Sequence, residues 1–395
     1  MERFSMKNQN RKTGKKLVYG QSSWRLASAQ VEAFVTELGG HLGPVNFRIS
    51  GRTIQPFSIA PWAEEKTDPK LPAILKVLRG DFFCMPFGGN SRPYRGEQHP
   101  VHGETANNPW KLVAQEESQD RCSLHLQLAT KIRRGHVDKR INLVRGHPAV
   151  YCEHVISGMR GPMDLGHHAM LKFPEEPGSG LVSTSRFVTG QVFPGAFELP
   201  AQRGYSFLKP GAAFESLDQV PTITGETADL SRYPARAGFE DLVLLVNDVN
   251  VPFAWTAVAF PKQRYVWFAL KDPRILRETI FWISNGGRHY PPWNGRHTAV
   301  MGLEEVTAYF AFGLNESARP NPLADQGHPT VLQLNARQPL RVPYIMAVAA
   351  IPAGFDHVAS IESDPGHESV VLQSRSGRKI SVPLRVEFLE RAETW

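Results

Sequence analysis

Hydrophobic and polar positions alternate with a period of two along most of this 395-residue chain. Segments 17–19, 31–38, 42–49, 123–128, 136–143, 149–156 and 165–173 are short and β-branched or alternating, and Gly, Pro, Asn or Asp bounds each one. Segments 242–246, 255–260, 265–270, 299–313 and 342–350 continue the pattern. Period two is the signature of strands, and a spacing of roughly ten residues per strand predicts a large antiparallel sandwich or barrel. A helix is predicted over 272–283, where Asp272-Pro273 offers an N-cap followed by proline at the first helical position.

Two stretches break the rhythm. Residues 191–238 are rich in Pro, Gly and Ala and read as a long insertion, placed over the mouth of a site. Residues 354–395 end in a predicted hairpin, 369–373 and 379–388 about a turn at 374–378, packed on the same domain. The main β domain is therefore expected over 17–353.

Charge changes the picture only at the start. Residues 1–16 hold six Lys/Arg and one acid, so +5 of the net +7 lies there, which predicts a disordered basic tail. The remainder is near neutral and shows no basic face, so nucleic-acid binding is not expected. No apolar run reaches the roughly 20 residues of a membrane span, and the tail lacks a signal-peptide core. Cys84, Cys122 and Cys152 are odd in number and widely spaced, and read as small core residues, not as a disulfide frame or a metal knot. Together these features predict a cytoplasmic protein, monomeric or homodimeric, with no membrane partner.

The chemistry concentrates in 80–110, which runs Gly-Asp-Phe-Phe-Cys-Met-Pro-Phe-Gly-Gly-Asn and then His-Pro-Val-His-Gly-Glu-Thr-Ala-Asn-Asn-Pro-Trp. Fixed hydrogen-bonding groups beside flat apolar walls, on loops held by a scaffold, suit a sugar site. His99, His102 and Glu104 also allow a metal-dependent β-barrel enzyme, although residues three apart on a strand point to opposite faces. His167 and His168 are neighbours on a strand, so only one of them enters a given site. Glu304 and Glu305 sit in an apolar run, either on a wet face or with one aimed into a cleft as a general base. Trp110 and Trp293 lie in turn-rich segments suited to lining a ligand.

The segment containing His102-Gly103, Asn107 and Trp110 resembles the galactose-mutarotase-like (aldose 1-epimerase) family. Gly166-His-His-Ala-Met-Leu is similar to the family's second-histidine strand, and Gly302-Leu-Glu-Glu-Val-Thr to its catalytic-glutamate strand. The resemblance covers roughly 17–350 and implies an all-β supersandwich that binds a small sugar and interconverts its anomers without a cofactor or metal. It implies Glu304 as base, His168 as acid and His102 as the residue holding the sugar. Arg92, with Arg95 as the alternative, and Asn90, with Asn107, are then expected at hydroxyls, and Trp110 and Trp293 as walls. Departures are Ala169-Met170-Leu171 in place of aromatics and Glu305 in place of proline. The family's sugar-binding aspartate has no clear counterpart, Asp241 and Asp248 being the available acids. The alternative on the same fold is a non-catalytic carbohydrate-binding or sensing protein.

Overall fold

A computed structural model describes residues 14–366 and 368–391. Most of the predicted basic tail lies outside them, but Lys16 already opens the first strand, Lys16–Val18. Strands are 48% of the structure and helices 6%, so the β prediction holds at the level of fold class.

Two antiparallel sheets stack face to face. The nine-stranded sheet has Tyr265–Lys271, Leu340–Ala350 and Ala149–Ser157 at its centre. The seven-stranded sheet has Phe239–Asn247, Glu278–Asn285 and Val300–Thr307 at its centre, with Leu165–Lys172 beside the last of these. A five-stranded meander, from Lys16–Val18 to Arg52–Ile54, adds its own apolar face to the same core. Between the layers, side chains such as Trp267, Leu303, Leu171 and Met346 form the main core.

Both sheets are covered on their outer faces as well, so every residue of Tyr265–Lys271, Glu278–Asn285 and Val300–Thr307 is buried, polar ones included. The outer face of the nine-stranded sheet is sealed by a C-terminal sheet of Val358–Ser363, Ser369–Ser374 and Lys379–Pro383, through Val358, Val370, Leu372 and Leu384. The predicted hairpin pairs Leu372 with Ile380 within this sheet, and Val358–Ser363 adds the third strand. The outer face of the seven-stranded sheet is covered by loops carrying Trp62, Phe82, Phe87 and Trp293.

The predicted helix over 272–283 does not form. Asp272 opens a turn in which its carbonyl accepts from Ile275 and Leu276, and the chain then enters the strand Glu278–Asn285. All eight residues of that strand are buried, which hid its period of two; its β-branched and aromatic content was the better signal.

Candidate functional site

Strand pairing fixes the centre of the site. Leu165–Lys172 runs antiparallel to Val300–Thr307 with His168 directly opposite Glu304 and His167 opposite Glu305. Opposed residues share a face and neighbours alternate. His168 and Glu304 therefore point outward together, while His167 and Glu305 point into the sandwich. His168 Nε2 lies 3.1 Å from Glu304 Oε1, with the side chains 7% and 2% exposed.

The loop 80–110 brings the third group. Gly103, at φ 75°, has no room for a side chain: a Cβ there would sit 1.9 Å from the Met85 carbonyl oxygen. This close passage places His102 over the sheet, where its ring packs edge-on to His168 at 5.2 Å and to Phe87 at 5.0 Å. The Gly88 N–H donates to His102 Nδ1 at 3.3 Å, which leaves Nε2 as the protonated donor.

His102, His168, Glu304 and Trp293 line one cavity of about 360 Å³, together with Phe82, Trp282, Arg288 and Tyr290. The stretch 191–238 adds Phe197 to its wall. Arg288 lies 4.7 Å from the Trp293 ring and 5.2 Å from Trp282. Its Nε donates to Glu198 Oε1 at 2.6 Å, and Tyr290 Oη also donates to Glu198. Glu240 accepts from Trp282 Nε1 at 3.0 Å and from Ser284 Oγ at 2.9 Å, fixing the indole wall.

Burial sets the electrostatics. It pushes Glu304 well above the usual carboxylate range, with Arg288 opposing. It pushes His168 well below the usual imidazole value, and the His102 ring beside it works in the same direction. His102 is lowered to about 3, chiefly by burial. Burial raises Glu240 to about 8. Burial works against the charge on Arg288, but Glu240 and Glu198 outweigh it and hold the guanidinium above its ordinary value. The His168–Glu304 pair thus shares one proton between two groups, both driven toward neutrality.

The other candidates lie elsewhere. Asn90 is buried, donates to the carbonyls of Gly88 and Pro100 at 3.1 Å, and accepts from the Leu314 N–H at 3.0 Å. Asn107 accepts from Ile74 N–H and donates to the Val101 and Gly103 carbonyls. Trp110 is 2% exposed, belongs to the main core, and donates to the Thr105 carbonyl. These three tie the loop together and do not line the cavity. Arg92 is 77% exposed and faces Glu316 at 3.8 Å. Asp241 accepts the N–H groups of Phe207 and Leu208, and Asp248 caps a turn at Asn250.

The proposed His99, His102 and Glu104 metal set is not brought together. His99 binds Glu97 at 3.1 Å, and Glu104 accepts the backbone N–H groups of Lys131 and Ile132. Pattern reading missed Arg288, Tyr290 and Phe197. The available signal was the placement of Arg288 and Tyr290 between Gly286-Gly287 and Trp293, in the segment already marked by its tryptophan.

No protein-family model and no curated protein sequence matches this chain. Solved structures do. A candidate aldose 1-epimerase from Klebsiella pneumoniae is similar with TM-score 0.58 and 12% identity over 85% of this chain and 83% of that one. A galactose mutarotase-like protein from Clostridium acetobutylicum gives TM-score 0.53 and 11% identity over 85% of this chain and 98% of that one. The galactose mutarotase related enzyme from Lactobacillus acidophilus gives 0.52 and 12% over 83% and 97%. Among the described residues, no helix is long and apolar enough to cross a membrane. At these identities the likeness establishes architecture, and this chain has the galactose-mutarotase-like fold.

Proposed function

We propose that this cavity binds a neutral monosaccharide and interconverts its anomers by acid–base catalysis. The observation that carries this reading is the convergence of His102, His168 and Glu304, from three separate segments, on one aromatic-walled cavity. Ring opening requires a base at the anomeric hydroxyl and an acid at the ring oxygen. Glu304 takes the hydroxyl proton as the C1–O5 bond breaks, and His168 delivers its proton to O5. The doubly competent form, imidazolium with carboxylate, is one proton transfer along the 3.1 Å contact from the neutral pair. Rotation about C1–C2 and reversal of both transfers give the other anomer, so neither cofactor nor net redox change is needed. His102 Nε2–H donates to a sugar oxygen and fixes the ring. Trp282, Trp293 and Phe82 offer flat surfaces to its C–H face. Arg288 is already ion-paired with Glu198, which favours an uncharged sugar over a phosphorylated one.

Anomer exchange measured by NMR across a panel of aldohexoses tests the reading. The wild-type protein should exceed the buffer rate, and Glu304→Gln should lose about 10²–10⁴-fold while still binding sugar. Binding without any acceleration by the wild type would leave a sugar receptor, the reading that the aliphatic Ala169-Met170-Leu171 favours. No binding and no acceleration would overturn both.

A further inference from the structure

A second set of reactive groups lies on the opposite side of the Leu165–Lys172 strand from the cavity, and it stands independently of the sugar reading. Cys152, His154 and His167 each offer one ligand atom, and these atoms all lie within 4.8 Å of one another. All three residues are 0% exposed. Neither ring nitrogen of His154 has a protein partner, and neither does Nε2 of His167. An unpaired buried polar group costs about 1–3 kcal/mol, so three in one compartment call for a shared partner. The remaining nitrogen of His167, Nδ1, is held 2.8 Å from Asp81 Oδ2. A carboxylate on the far nitrogen fixes the tautomer and presents Nε2 as a lone-pair donor, the outer arrangement that orients metal-bound histidines. The His154 ring is clamped against Phe83, with centroids 3.9 Å apart and planes within 10°. Tyr344 is the cross-strand partner of Cys152, lies against His167 with tilted rings 4.3 Å apart, and has a hydroxyl with no protein partner.

We propose that Cys152, His154 and His167 form a structural metal site in the sandwich core, with zinc as the preferred ion. One thiolate with two imidazoles suits a borderline-soft divalent ion of tetrahedral habit. Tyr344, cross-strand from Cys152 and against the His167 ring, would supply an oxygen as the fourth donor. The thiol of Cys152 gives up its proton on binding. The thiolate and Asp81 then balance the two charges of the ion. Lys139, the strand partner of His154, has its Nζ buried nearby without a partner and opposes the ion. The compartment is sealed, so the ion is taken up as the sandwich closes and joins the two sheets from within.

The test uses full-length protein expressed in zinc- or cobalt-supplemented minimal medium, purified without metal resins and passed over a chelating column. Elemental analysis should find about one zinc per chain. X-ray absorption on the wild type should show one sulfur at about 2.3 Å and nitrogens at about 2.0–2.1 Å. Cobalt-grown protein should show a thiolate-to-metal charge-transfer band that Cys152→Ser abolishes and Cys122→Ser retains. His154→Gln and His167→Gln should lose stoichiometric metal, and Lys139→Met should resist stripping better than the wild type. Substoichiometric metal in wild type from both media, or a sulfur-free shell, or a cobalt band that survives Cys152→Ser, would each overturn the proposal. The wild-type spectra decide the matter even where a core variant fails to fold.

Discussion

The strands Leu165–Lys172 and Val300–Thr307 carry two His/Glu pairs in the same register, one on each face of the sheet. The outer pair, His168 and Glu304, approach to 3.1 Å at the floor of a cavity. The inner pair never meet. His167 turns to Asp81, and Glu305 is held by Lys271, by Thr256 Oγ1 at 2.5 Å and by Thr279 Oγ1 at 2.7 Å. Thr256 and Lys271 belong to the nine-stranded sheet, so Glu305 bridges the two layers. Identical residue types one position apart thus line a cavity on one side and tie the two layers together on the other. What separates them is whether a charge finds a dedicated counter-ion or only a neighbour that shares its proton.

That contrast can be broken from either side. The largest effect is expected on the outer face. Glu304→Gln should cut anomer exchange by about 10²–10⁴-fold, while the unfolding free energy in urea moves by less than about 1 kcal/mol, because an isosteric amide replaces a carboxyl already driven toward neutrality. A comparable loss of stability would erase the distinction. On the inner face, Lys271→Met should leave Glu305 an uncompensated buried charge and destabilise by about 3–5 kcal/mol; urea denaturation reads it directly, and a shift under 1 kcal/mol would show that the inner pair is no structural tie.

A smaller effect follows from pH. Burial raises Asp164, Glu240 and Glu278 to about 8, so each is protonated in the fold where the unfolded chain, near 3.8 to 4.5, has already ionised. Their contribution is complete at acid pH and is lost as pH rises through 8. His102 and His297, lowered to about 3, have the opposite sign and lose stability only as pH falls from 6.5 toward 3. Between pH 6.5 and 8 the carboxyls dominate, so stability should fall by about 1.4 kcal/mol per pH unit for each of the three that stays protonated in the fold. Thermal melts that rise over that window would contradict the assignment. The smallest expected effect is that of Arg92→Ala, exposed and away from the cavity: sugar affinity by titration should be unchanged and stability within about 0.5 kcal/mol of wild type.

How much of this was legible in the sequence varied with the range of the interaction that decides it. Period two separates His167 from His168 and Glu304 from Glu305 before any coordinates exist, and a run of strands declares a β sandwich. Asn90, Asn107 and Trp110 were found in the right loop with the wrong occupation. Their polar atoms satisfy carbonyls and N–H groups whose unpaired state arises only once the loop is folded. Arg288 depends on Glu198, 90 positions away, for its placement. Cys152, His154 and His167 carry no spacing motif, because two non-neighbouring strands supply them.

The C-terminal sheet bears on how the molecule meets other molecules. It hides Trp255, Phe268 and Ile345, which would otherwise make a broad greasy plane on the nine-stranded layer. That plane is thereby withdrawn from self-association, and any assembly of copies must use a different surface. A version clipped before Phe355 would uncover it and should clump at concentrations where the full-length protein stays dispersed.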